Sequence, residues 1–112
     1  MDSESLVLVH TSCSDRAHAE RLARDLVESR LAACASIGAQ VTSIYPWEGR
    51  IEREQEVTLT LKTTAAAFSD LRRRLIERHG YEVPEVLATP VIDGNHEYIN
   101  WVREWVTAGK QE

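Results

Sequence analysis

Residues 33–64 read ACASIGAQVTSIYPWEGRIEREQEVTLTLKTT and set the fold more than any other segment of the 112-residue chain. Within them Val57, Leu59 and Leu61 alternate with polar residues, which is typical of a strand with one buried face. The sequence therefore predicts a long β-hairpin that closes near Glu48-Gly49. Each arm would extend roughly 45 Å, at about 3.3 Å per residue, so the hairpin must bend or project beyond its domain. Because a projecting ribbon exposes edge strands, we expect it to be an oligomerisation arm.

Shorter segments on both sides of the hairpin predict further strands and helices. They are a strand over Leu6–Val9, a helix from Arg16 to about Arg30, a second helix from Thr63-Thr64 to Gly80, a strand over Val86–Ile92 and a third helix from about His96. The order is β-α-β-β-α-β plus a terminal helix. Two right-handed βαβ crossovers then predict an α+β fold, the ferredoxin-like sandwich, with a four-stranded antiparallel sheet. We expect one such domain over residues 1–112.

Glycine and proline positions predict local interruptions of these elements. Gly38 predicts a bulge or bend in the first arm of the hairpin. Pro46 and Pro90 lack an amide donor, which favours an edge strand or a strand break at both positions. At the end of the chain, residues 108–112 are expected to fray.

The predicted helices cover only one face of the sheet. The other face must be solvated or buried by a partner. Three copies that pack these faces together, with their hairpins reaching to neighbours, would bury the face and protect the edge strands. We therefore expect a homotrimer.

Composition is that of an ordinary globular protein, with 43% hydrophobic and 28% charged residues and a net charge of −5. Acidic and basic residues are interleaved, which argues against nucleic acid as a partner. No apolar run approaches the roughly 20 residues of a membrane span. The acidic start of the chain does not resemble a secretory signal, so we predict a cytoplasmic protein. Cys13 and Cys34 form no CxxC pair and are expected to be free thiols.

Five segments, taken in order, resemble one known family: RLAACASI, YPWEG, EVTLTLKTT, HGYEVPEVLATPV and YINWV. The family is CutA, the divalent-cation tolerance proteins, and the resemblance extends from about Leu6 to Val106. It implies a ferredoxin-like subunit in a tight homotrimer, similar in architecture to the PII signalling proteins. It also implies association with copper and other divalent cations, and it does not imply an enzyme.

His10 and Cys13 are the best local pair of candidate metal ligands, because imidazole nitrogen and thiolate sulfur both suit copper and zinc. A thiol near a helix N-terminus is expected to have its thiolate favoured by the helix dipole. The resemblance adds His79, where some members have a histidine pair and this chain has Arg78-His79. The alternatives are a loop histidine, a cysteine in a capping region, and a charged imidazole favoured by a helix C-terminus. A further ligand would have to come from elsewhere in the chain or from a neighbouring subunit.

Other polar residues have simpler interpretations. His18 is expected to be a solvated helix residue, and His96 beside Asp93 either binds a cation weakly or is incidental. Three glutamates share one strand face and either bind a hard cation or form a charged edge that pairs with arginine: Glu52, Glu54 and Glu56. The tryptophans are interpreted as packing or interface residues, since no basic groove accompanies them.

No catalytic motif is found among P-loop, GxSxG, GxGxxG and HExxH patterns. We therefore expect a trimeric metal-binding and metal-response protein that is not an enzyme. The alternative is a PII-like signalling module that binds a small metabolite or a partner protein in the clefts between subunits.

Overall fold

The long hairpin dominates the computed structural model, which describes residues 2–110. Its elements, in chain order, are β1 (Leu6–Cys13), α1 (Arg16–Glu28), β2 (Cys34–Trp47), β3 (Arg50–Thr64), α2 (Ala65–His79), β4 (Leu87–Pro90) and α3 (His96–Lys110). The four strands form one antiparallel sheet in the order β2-β3-β1-β4. The predicted α+β ferredoxin-like fold is therefore confirmed, with its additional C-terminal helix.

The turn of the hairpin lies where the sequence places it. Trp47 pairs with Arg50, and the two residues between them have positive φ, 50° at Glu48 and 78° at Gly49. Two consecutive left-handed residues match the twist of the flanking strands, which is why such turns close tight hairpins. The partner strand β1 ends opposite Val57, so residues 50–56 of β3 continue with β2 as a ribbon. The molecule is accordingly 44 Å along its longest axis for a radius of gyration of 14.6 Å.

A bulge interrupts β2 where Gly38 predicts one. The register with β3 shifts between Ile37 and Gln40. A Cβ atom on Gly38 would lie 2.1 Å from Thr58 Oγ1, so a larger residue here would require the Thr58 side chain to move. Pro46 and Pro90 lie on β2 and β4, the two edge strands, in agreement with their missing amide donors.

The core lies between one sheet face and the first two helices. Val9 and Leu61 of the sheet pack with Leu26 of α1 and Leu71 of α2, and all four are fully buried. Helix α3 forms a second cluster with the ends of β1 and α2 through Val102 and its neighbours.

The second sheet face carries side chains of β1 and β3 that are half-buried, including Leu8, His10 and Thr60. Contrary to the prediction that helices cover only one face, α3 also reaches this one. Lys62 Nζ donates to the Tyr98 hydroxyl at 3.2 Å. Lys62 pairs with Leu8 across the sheet, so α3 covers one end of the second face.

Several element boundaries differ from the prediction. Strand β1 continues past Val9 to Cys13, because each of its residues has a partner on β3 and alternating polar residues suit a strand with one buried face. Strand β4 is limited to Leu87–Pro90, and α1 ends at Glu28. Helix α3 continues to Lys110, past the Ala108 at which fraying is predicted to begin, and residues 111–112 lie outside the described part.

Candidate functional site

The C-terminus of α2 places His79 inside the protein. Thr64 caps the start of this helix, where its hydroxyl accepts from the Ala67 amide at 3.2 Å. Gly80 ends the helix in the left-handed conformation, with φ 96°. Fifteen residues separate these caps, and His79 is the last of them, directed at β1 with 1% of its surface exposed.

The hydrogen bonds of His79 define its tautomer. Its Nε2 lies 2.8 Å from the Ser12 carbonyl oxygen and 3.0 Å from Thr11 Oγ1. Because a carbonyl only accepts, Nε2 carries the hydrogen. The other ring nitrogen, Nδ1, is buried and has no hydrogen-bond partner among the described residues.

Burial also decides the charge of His79. Desolvation lowers its pKa, and the neighbouring His18 lowers it further, against the opposing effects of the Ser12 carbonyl and Glu56. The imidazole is therefore neutral at pH 7. The interpretation of His79 as a charged residue favoured by a helix C-terminus is wrong, because desolvation outweighs the helix dipole.

His18 belongs to the same cluster. Its Nε2 donates to the carbonyl oxygen of His79, and the two rings meet edge to face with centroids 5.8 Å apart. The Tyr81 ring is tilted against the His79 ring, with the two centroids 4.6 Å apart. The prediction of a solvated His18 is thus wrong, because the start of α1 lies against the end of α2 and satisfies a free helix carbonyl there.

Cys13 is fully buried in the core, on the face of β1 that packs against the helices. Burial, followed by the carboxylates of Asp15 and Glu56, raises the pKa of its thiol to about 11. The expectation of a thiolate favoured by the helix dipole is therefore wrong. At pH 7 Cys13 is a neutral, apolar core residue.

His10 points away from the other two candidate ligands. It lies three residues from Cys13 on one strand, and residues an odd number apart point to opposite faces. On the second face its Nε2 lies 3.0 Å from Thr89 Oγ1 of β4. His10, Cys13 and His79 are therefore not brought together, and residues 2–110 contain no group of three or more such donors arranged to hold an ion.

The remaining acidic and histidine candidates are dispersed. His96 Nε2 is 3.8 Å from Asp93 Oδ1, and both side chains are exposed. Glu52 lies 3.7 Å from the Arg50 side chain, as expected for a charged edge. Glu56, in contrast, is buried and accepts a hydrogen bond from Tyr81 at 2.9 Å. Sequence patterns did not predict this pair, because strand alternation places Glu56 on the face opposite Val57 and its partner Tyr81 is 25 residues away.

The tryptophans divide between packing and exposure. Trp105 Nε1 donates to the Val27 carbonyl at 3.0 Å, and the Arg30 guanidinium lies 3.6 Å from the indole centroid. Trp47 and Trp101 keep much of their surface exposed. Packing is confirmed for Trp105, and an interface role for the other two stays a prediction.

These features define an α+β protein of ferredoxin-like topology. It has a projecting β2–β3 hairpin and carries candidate metal ligands on both faces of the sheet. The family model described as "CutA1 divalent ion tolerance protein" matches residues 7–105. The chain belongs to this family.

Individual relatives agree with the assignment. The divalent-cation tolerance protein CutA of Thermus thermophilus is 48% identical over 86 residues, which cover 77% of this chain and 84% of the relative. The crystal structure of CutA from Xylella fastidiosa has a TM-score of 0.88 at 36% identity and covers 91% of this chain and 98% of its own.

Location in the cell stays a prediction. A similar structure, with a TM-score of 0.87 at 32% identity and coverage of 90% of this chain and 98% of its own, is described as the periplasmic divalent cation tolerance protein CutA from Archaeoglobus fulgidus. In residues 2–110, no helix combines the length and apolar character needed to cross a membrane.

Proposed function

We propose that the protein is a homotrimer that binds divalent cations, copper in particular, and acts in metal tolerance and response without catalysing a reaction. The observation that carries the proposal is membership of the divalent ion tolerance family over residues 7–105. The donor chemistry of the chain is compatible with it, since neutral imidazole nitrogen is a ligand for copper and zinc.

The ion needs ligands from more than one subunit. His10 is the accessible donor, because it lies half-buried on the second sheet face, whereas Cys13 and His79 are enclosed in the core. One imidazole is too few for a stable site. Copies of the second sheet face that pack together would bring additional donors to His10 from neighbouring subunits.

Exposed apolar side chains support assembly. At the tip of the hairpin Ile44 and Ile51 are 68% and 73% exposed. Pro46 pairs with Ile51, and Ile44 lies two residues from Pro46, so both isoleucines share one face of the ribbon. Such a patch on a projecting edge is typical of an interaction surface.

Native mass spectrometry of the metal-stripped protein, titrated with Cu(II) and then Zn(II), tests both parts of the proposal. We expect a trimer that takes up a discrete, saturating number of ions. His10→Gln should abolish this uptake. His96→Gln removes an exposed histidine elsewhere and is the matched control, which should bind like the wild type.

Graded adducts without saturation, or equal uptake by the His10→Gln variant, would reject this metal site. A mass corresponding to a monomer would reject the proposed homotrimer. The alternative function, a PII-like signalling module, stays a prediction; saturable stabilisation by a metabolite without any response to metal would favour it.

A further inference from the structure

A notch of about 220 Å³, which we call the α1–α2 notch, opens to solvent between the first two helices. It is lined by four residues of α1 and one of α2: His18, Arg21, Leu22, Asp25 and Arg78. The α1 members recur at three- and four-residue spacing, which places them on one face of the helix. Because both helices pack on the core side of the sheet, the notch lies across the molecule from the second sheet face. It therefore stays open if copies of that second face pack together.

Helices α1 and α2 concentrate positive charge in an acidic chain. They carry seven arginines and five acidic residues, whereas the whole chain has a net charge of −5. Five of the seven arginines contact a backbone carbonyl, a carboxylate or a phenyl ring: Arg16, Arg24, Arg72, Arg73 and Arg74. The two others, Arg21 and Arg78, both line the notch.

One carboxylate, Asp25, lines the notch, and it is already satisfied by an arginine outside it. Arg74 donates to both oxygens of Asp25 at 2.8 Å, and these hydrogen bonds lower the pKa of the carboxyl group. Arg78 Nη1 lies 3.7 Å from Asp25 Oδ1, beyond hydrogen-bond distance. Within residues 2–110 the guanidinium groups of Arg21 and Arg78 donate no hydrogen bond. Arg21 also forms no ion pair with these residues.

The charges at the notch are suited to a dianion. Three guanidinium groups lie there with one carboxylate, which leaves two positive charges in excess. Arg74 and Arg78 are like charges one helical turn apart, an arrangement that destabilises a helix and that a bound anion would relieve. Guanidinium groups bond phosphate through paired N–H donors, and a phosphate monoester carries roughly 1.5 to 2 negative charges at pH 7. A carboxylate ligand would balance only one of the two arginines.

We propose that the α1–α2 notch binds a phosphate dianion, as the free ion or as the phosphoryl group of a small monoester, between Arg21 and Arg78. The bidentate bond from Arg74 keeps Asp25 from competing for these two arginines. The notch lies within a single chain and uses no residue of the proposed metal site. Each proposal can therefore fail without the other.

An NMR titration of the whole chain in its native assembly tests the proposal, with methyl phosphate as the probe. Methyl sulfate has a similar shape and a single charge, and is the control ligand. We expect methyl phosphate to shift the side-chain Nε–H signals of Arg21 and Arg78 saturably and to bind more tightly than methyl sulfate. Added salt should weaken the binding, because screening reduces the attraction between exposed charges.

Substitution of the two arginines tests their roles. Arg21→Gln and Arg78→Gln should each raise the Kd for methyl phosphate at least about tenfold, because each removes a charged hydrogen-bond donor. Both side chains are exposed, so the variants keep the fold. Arg24→Gln and Arg73→Gln remove the same charge from the same helices outside the notch. They should change the Kd by less than about twofold, because distant exposed charges are screened.

Inorganic phosphate, titrated in the same way, distinguishes the two sources of the dianion. Equal or tighter binding of inorganic phosphate supports a site for the free ion, and tighter binding of methyl phosphate supports a site for a phosphorylated small molecule. Equal binding of methyl phosphate and methyl sulfate would overturn the proposal. So would shifts that never saturate, or equal losses of affinity in Arg21→Gln and Arg24→Gln.

Discussion

At the scale of single residues, burial rather than position along an element decides the chemistry of the ionisable groups. His79 is the last residue of α2, where a helix dipole favours positive charge, yet its enclosed imidazole is neutral. Cys13 lies close to the start of α1, where a thiolate is favoured, yet its buried thiol stays protonated. In both cases desolvation is the larger effect.

The lowered pKa of His79 predicts a pH dependence of stability. The unfolded state takes up a proton near the ordinary pKa of about 6.5, whereas the folded state resists protonation at that pH. The unfolded state therefore binds more protons as the pH falls from 7 to 5, and the free energy of unfolding decreases. We expect the Tm to fall over this range, and to fall less in His79→Gln, which keeps a donor toward Ser12.

His96→Gln is the control, and should keep the wild-type pH dependence because this side chain is exposed. The carboxylate of Asp25, whose pKa is lowered by its hydrogen bonds from Arg74, loses its contribution only below about pH 4. Titration of Asp25 therefore does not contribute to the change in stability between pH 7 and pH 5. If Tm fell equally with pH in the wild type and in His79→Gln, the pH dependence would not come from His79.

At the scale of elements, the hairpin depends on a turn with one strained residue. Glu48 adopts φ 50°, a conformation that side chains other than asparagine and aspartate rarely adopt, while Gly49 adopts φ 78° at no such cost. The turn is retained because the twist of β2 and β3 requires left-handed backbone at both positions.

Relief of that strain should stabilise the protein. We expect Glu48→Asn to raise the free energy of unfolding by about 0.5–1 kcal/mol, a part of the roughly 1–2 kcal/mol that left-handed backbone costs an ordinary residue. Denaturant unfolding at fixed protein concentration measures the change. Glu48→Gln removes the same charge without the conformational preference, so a similar gain in that control would show that charge, not strain, is responsible.

At the scale of the whole molecule, the ribbon beyond β1 and the second sheet face remain available to other copies of the chain. Edge strand β2 and the apolar tip lie on the same arm. A single subunit does not bury this surface, because the hairpin is longer than the rest of the sheet and projects beyond it.

The proposed trimer should therefore be sensitive to charge at the tip. We expect Ile51→Lys to dissociate it, because a buried lysine without a partner is costly in an interface. Sedimentation velocity over a range of concentrations measures the mass. Ile76→Lys makes the same change at an exposed position on α2 and should leave the assembly intact. An Ile51→Lys variant that stays trimeric at micromolar concentration would exclude the tip from the interface.

The sequence by itself determined the elements of this protein, because they follow from local rules. Alternation in residues 57–61 sets the face of β3, and Glu48-Gly49 sets the turn. Gly38 marks the bulge in β2, where a Cβ atom would meet Thr58 Oγ1. The order of the elements and right-handed crossovers predicted the topology, and the family motifs agreed with it. The ends of strands and helices were predicted less accurately. Strand β1, for example, continues to Cys13 through its pairing with β3, a segment distant in sequence.

Only the tertiary structure decided the state of the candidate site. Strand alternation already separates His10 from Cys13, but that separation depends on β1 reaching Cys13. The enclosure of His79 against β1 and the pairing of Tyr81 with a buried Glu56 join segments far apart in sequence. The charge of a side chain depends on everything that packs around it, and packing partners of this kind are brought together only by the fold.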